Sequence, residues 1–108
     1  MPQVNIYVTG TDHEQFTKYA WDFGLDATAL ANLLLTRELR IGRLTGLRSL
    51  VPQRGDLRGA KVTAHLSRDR RVAFATRAKS CGLSLSKAGA ILILAELKEH
   101  WLKKAVDN

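Results

Sequence analysis

The chain repeats itself. Displaced by 58 positions, Val4-Asn5-Ile6-Tyr7-Val8-Thr9 falls on Val62-Thr63-Ala64-His65-Leu66-Ser67. With no gap, Val4, Phe16, Ala20, Gly24, Leu25, Leu34, Glu38, Leu39 and Leu44 each meet an identical residue 58 places on. These are nine identities in the 41 positions from Val4 to Leu44, where chance gives about two or three at ordinary composition. Most of them fall on apolar or glycine positions. One short supersecondary unit is therefore written twice. A unit of this size buries little core alone, so the copies are expected to share one. The 108 residues read as a single compact domain, with a first repeat at 3–44, a basic linker at 45–60 and a second repeat at 61–102.

Each repeat has the same local grammar. Gln3, Asn5, Tyr7 and Thr9 alternate with Val4, Ile6 and Val8, the period of a strand with one polar and one buried face. Thr11 to Glu14 reads as a capping box that opens a helix. Phe16, Tyr19, Ala20 and Phe23 recur at helical spacing, and Gly24 ends that helix. Asp26 caps a second helix, Ala27 to about Gly42, apolar nearly all round and hence central. The stretch from Arg43 into the linker carries Gly46, Pro52, Gly55 and Gly59 among Arg43, Arg48, Arg54 and Arg58. Lys61, Thr63, His65 and Ser67 then alternate with Val62, Ala64 and Leu66. A helix follows from about Arg68 to Cys81, Gly82 stops it, and Ser84 caps a last apolar helix that runs on through Lys98 to Lys103 and Lys104. A lone strand leaves its backbone groups unpaired, so the two strands are expected to pair antiparallel over the two apolar helices. The expected fold is mainly α with a two-stranded antiparallel ribbon, in the order β-α-α-linker-β-α-α.

Charge narrows the partner. The net charge is +7 with a pI near 10.1, which favours an anion. Residues 1–42 carry −2, residues 43–59 carry +3 and residues 60–108 carry +6. The basic surface therefore belongs to the linker and the second repeat. No apolar run approaches the length of a membrane span, and the N-terminus lacks the regions of a signal peptide. One cysteine makes no internal disulfide, and a cytoplasmic protein without membrane contact is expected. His13, His65 and His100 share no metal-ligand spacing, so no metal and no other cofactor is expected. Cys81 aligns with Phe23 as a core residue. No base accompanies Cys81, and no paired-histidine metal motif accompanies Tyr7 or Tyr19, so no catalytic residue is assigned.

Strand, helix, a Gly-Leu turn and a helix opened by a capping residue resemble the ribbon-helix-helix (Arc/MetJ-like) DNA-binding family. The motif stands in both repeats, as Val4-Asn-Ile-Tyr-Val-Thr with Gly24-Leu-Asp, and as Val62-Thr-Ala-His-Leu-Ser with Gly82-Leu-Ser. That family works as a homodimer whose paired strands enter the DNA major groove. The resemblance implies such a dimer fused into one chain, a tandem ribbon-helix-helix pseudo-dimer. The architecture is similar to that of TraY-type accessory proteins of conjugative relaxosomes.

A major groove admits a two-stranded ribbon and shows a full donor and acceptor code. Gln3 and Asn5 suit adenine, Lys61 suits guanine, and Thr63 suits a base edge or a thymine methyl. Tyr7 and His65 complete the outward set and suit sugar or phosphate as well as bases. An ordinary solvated strand face is the alternative. The resemblance also implies a phosphate site at the start of each second helix, where free N–H groups gather. Ser84, Ser86 and Lys87 fit it, with plain capping as the alternative for the serines. Thr28 is the equivalent in the first repeat, but Asp26 beside it repels phosphate. Arg68, Arg70 and Arg71 follow the second strand and reach for flanking phosphates, as the linker arginines do.

The expected function is sequence-specific binding of double-stranded DNA, without catalysis, as a plasmid transfer or mobilisation accessory. Several copies are expected to cooperate on DNA, and a relaxase or another protein is expected to meet the acidic first repeat. An autoregulatory transcriptional repressor and an antitoxin-like protein-interaction module stay open.

Overall fold

The computed structural model of the chain describes residues 3–50 and 60–107. Strands β1 (Gln3–Val8) and β2 (Ala60–His65) form one antiparallel sheet. Helices α1 (Gly10–Trp21) and α2 (Ala27–Ile41) follow β1, and a 3-10 helix spans Leu44–Leu50. Helices α3 (Arg68–Ser80), α4 (Leu85–Glu99) and α5 (Trp101–Asp107) follow β2. Most of the expected linker, 51–59 with Arg54 and Arg58, lies outside the described residues, as does the side chain of Arg48.

The expected fold class needs correction. The order β-α-α-linker-β-α-α, and with it the tandem ribbon-helix-helix pseudo-dimer, does not describe this molecule. The described residues hold one strand pair, at 3–8 and 60–65, and five α-helices rather than four. Neither repeat owns a sheet. The last helix, expected from the sequence to be continuous from Ser84 to Lys104, is two helices that break at His100. The stretch after α2 opens as a 3-10 helix rather than an irregular linker.

Two buried glutamates are the physical reason for both departures. Glu38 is 1% exposed and Glu96 3%. After each, the chain takes one left-handed residue, Gly42 (φ 64°) or His100 (φ 53°), whose N–H donates to the backbone oxygen four residues earlier. The carboxylate then accepts backbone N–H groups beyond the turn. Glu38 accepts from Arg43 at 2.9 Å and Leu44 at 3.0 Å, and Glu96 accepts from Leu102 at 2.8 Å. A charge in the core is tolerable only when hydrogen-bonded. Here that bonding turns the chain and starts a new helix. Tyr19 adds a lock on one side only: its hydroxyl donates to Glu96 at 2.6 Å and accepts from the Lys103 N–H at 3.2 Å. Burial first, and then the Glu96 carboxylate, push the Tyr19 phenol well above its usual pKa. Trp101 of α5 lies under the Arg37 guanidinium, 4.0 Å from the ring centre. Arg43 pairs with Glu99 at 2.7 Å.

The helix starts are set by short polar side chains. Thr9, still extended, accepts from the Asp12 N–H at 3.1 Å, and Ser67 accepts from Arg70 at 3.3 Å. Thr11 is therefore inside the helix and the expected Thr11–Glu14 box does not form. Asp26 and Ser84 cap α2 and α4. Val4, Ile6, Val8, Val62 and Ala64 face the core, with Phe16 and Phe74 at its centre. Burying each such large side chain is worth roughly 1.5–3 kcal/mol. The strands pack across the repeats, β1 on α4 and β2 on α2. Gly89 of α4 is the seat of Ile6: a Cβ there would lie 2.6 Å from Ile6 Cγ1. Among the described residues, no single helix is long and apolar enough to cross a membrane.

Candidate nucleic-acid interface

Antiparallel pairing brings the outward side chains of the two strands together. Gln3 faces His65, Asn5 faces Thr63, and Tyr7 faces Lys61. All six lie on the face away from the core, Thr63 partly buried and the others exposed. Asn5 and Thr63 are equivalent positions of the repeat, so the ribbon is centred on them. The Thr63 hydroxyl donates to Asn5 Oδ1 at 3.4 Å. That contact leaves the Asn5 amide NH2 to donate outward.

The edges of the ribbon are held by side chains from the helices beneath. Ser86 Oγ, in the first turn of α4, accepts from the Tyr7 N–H at 3.2 Å. Asn32 Oδ1, on α2, accepts from the His65 N–H at 2.7 Å. These two bonds occupy donors that an open strand edge would present to other chains. Sequence reasoning assigns Ser86 to phosphate and misses its strand contact. It misses Asn32 altogether. The one available signal is an amide inside an otherwise apolar helix, where a polar group implies a partner.

The expected phosphate-binding residues fall at both ends of the ribbon. Arg68 and Arg70 stand exposed in the first turn of α3, directly after β2. Arg71 is half-buried, and its Nε donates to the Gln3 carbonyl at 3.0 Å. It therefore ties α3 to the start of β1. At the other end, the bond from Tyr7 to Ser86 puts the α4 N-terminus beside the Tyr7–Lys61 pair. Ser84 accepts from the Lys87 N–H at 3.1 Å, and the Lys87 side chain is exposed. Both serine hydroxyls accept in these contacts, and each still has a proton to donate. Thr28, at the matching place on α2, is half-buried behind the Asp26 cap, which accepts from Ala29 at 2.7 Å.

The result is a narrow polar ribbon with amide, hydroxyl, imidazole, phenol and ammonium groups, flanked by cations at both ends. Such a surface can donate to and accept from base edges while its ends meet phosphates. Among the described residues, no three His, Cys, Asp or Glu side chains gather as a metal site. Compared with protein-family models, curated proteins and solved structures, the chain matches none.

Proposed function

We propose that this chain is a non-enzymatic protein that binds double-stranded DNA sequence-specifically, with the outer face of β1–β2 in the major groove. The observation that carries the reading is the set of three facing pairs, Gln3–His65, Asn5–Thr63 and Tyr7–Lys61, on one exposed ribbon. Arg68, Arg70 and Lys87 at its two ends supply phosphate contacts. The six side chains differ between strands, so the site read is not a palindrome. Kinship with ribbon-helix-helix proteins belongs to the same proposal and rests on the sequence motifs. So does a role in plasmid transfer, with repression of transcription as the alternative, in the cytoplasm. A second reading, a protein-interaction module of the antitoxin kind, draws on the acidic α1 and its exposed Trp21. Titration with random duplex DNA at several salt concentrations separates them. A steep fall of affinity with salt is expected of a DNA binder. No measurable binding at low salt overturns the DNA reading and favours the module.

A further inference from the structure

Two surface features, the end of α1 and a groove beside α3, fit each other. β1 leads into α1 at one end of the ribbon, and β2 leads into α3 at the other. Six paired positions put those ends roughly 17 Å apart. At the end of α1, Trp21 stands 70% exposed, with Asp22 exposed beside it. Beside α3 lies a groove of about 350 Å³, lined by Ala73, Thr76, Arg77, Ser80 and Leu39. Ala73, Thr76 and Ser80 are small and share one face of α3. Arg77 Nε, on the same wall, is buried with no hydrogen-bond partner among the described residues.

We infer that a second copy of this chain fills the groove: Trp21 of one copy seats between Ala73, Thr76 and Ser80 of the next, with Asp22 against Arg77 and Lys79. Charge selects this occupant. Residues 10–22, with Asp12, Glu14 and Asp22 against Lys18, carry −2. Residues 68–80, with Arg68, Arg70, Arg71, Arg77 and Lys79 against Asp69, carry +4. An α1 facing another α1 repels, an α3 facing another α3 repels, and only α1 facing α3 attracts. Within one chain the indole is exposed and is not part of the groove wall, so another copy has to supply it. The contact is therefore head-to-tail, and each added copy presents a new knob and a new groove. Such a contact adds copies one after another, into a ring where the rotation closes and an open line where it does not. It holds whether or not the ribbon binds DNA.

Sedimentation and light scattering of the DNA-free chain test this, from about 10 µM to about 1 mM, the range of weak association. The mass should grow with concentration and show no plateau at two copies. Trp21→Ala removes the knob and should weaken association about 30-fold, the effect usual for a tryptophan anchor. Ala73→Glu obstructs the groove and sets a carboxylate against Asp22, and should weaken it similarly. Both positions are exposed, and circular dichroism checks that both variants fold. The decisive step mixes them. The Trp21→Ala chain keeps a groove and the Ala73→Glu chain keeps a knob, so the mixture should form a one-to-one pair and stop. Monomers throughout, association unchanged in Trp21→Ala, or no pair in the mixture would each overturn the inference.

Discussion

Asn5 and Ile6 are neighbours in the chain and opposites in environment. Asn5 points outward beside Thr63, while Ile6 is fully buried against Gly89. Asn5→Ala should shift stability by no more than about 0.5 kcal/mol. On a selected DNA site it should cost about 1–3 kcal/mol, and much less on random duplex. Ile6→Ala should cost roughly 2–5 kcal/mol of stability. Melting curves beside competition binding check both, and the opposite assignment of effects would mean that the ribbon face is not the reading face. That alternation is legible because a strand's period of two has no other solution for Val4, Ile6 and Val8. Glu38 and Glu96 are visible as an identity in the repeat, but their role is not, since a charge in an apolar helix does not name its partners. Their oxygens give a second prediction. Glu38 uses Oε1 for Arg43 and Oε2 for Leu44, whereas Glu96 receives both Tyr19 and Leu102 on Oε2. Glu38→Gln must set an NH2 against a backbone N–H and should lose about 1–3 kcal/mol. Glu96→Gln keeps an oxygen for both donors and should lose less. Urea midpoints of the two variants decide it; equal losses would remove the assignment.

At the scale of elements, the break between α4 and α5 is the least legible feature. The run Lys98 to Lys104 has no glycine or proline to announce a stop, and the non-glycine residue His100 takes the left-handed turn. The Leu102 N–H bond to Glu96 and the Lys103 N–H bond to Tyr19 decide it, and no local pattern encodes the second. The start of α1 differs from expectation for a milder reason. Both Thr9 and Thr11 can cap, and the choice falls to Thr9 because the chain leaves β1 already extended there. The match of Thr9 with Ser67 in the repeat holds that information. The Tyr19 lock predicts a pH effect. Its folded-state pKa is raised above the ordinary value near 10. The unfolded chain therefore releases the phenolic proton first, and stability is full below about pH 10 and falls as pH rises above it. The readout is the difference between the wild type and Tyr19→Phe, which removes every pH effect that the two share. Tyr19→Phe should be less stable at pH 8, and its deficit should shrink by pH 11. A deficit constant across that range would mean that the phenol is not held protonated by the fold.

For the whole molecule, the crossing of the repeats matters most. β1 packs on α4 and β2 on α2, so neither repeat has a core of its own, and both strands of the sheet come from one chain. The melting midpoint should therefore be independent of concentration in the low micromolar range, below the head-to-tail association, whereas an obligate dimer's would rise. Crossing also distributes charge in a way that linear order hides. Sequence sums assign the basic excess to the linker and the second repeat, and Arg68 and Arg70 indeed sit at one end of the ribbon. Lys87 belongs to the same repeat, yet α4 lies under β1 and delivers Lys87 to the other end. One repeat thus supplies cations to both ends of the ribbon, while the exposed Lys18 and Arg40 of the first repeat lie on α1 and at the end of α2. The salt dependence of DNA binding should follow this map. Removing one phosphate-binding cation lowers the slope of log affinity against log salt by about one unit. Replacing Arg68, Arg70 and Lys87 by glutamine should lower it by about two to three units on any duplex, with the same change on selected and random sequences. Replacing Lys18 and Arg40 by glutamine removes two charges at similar exposure and should leave the slope unchanged. Equal slopes for the two variants would show that net charge alone governs binding. A drop in slope confined to the Lys18 and Arg40 variant would place the DNA on another face.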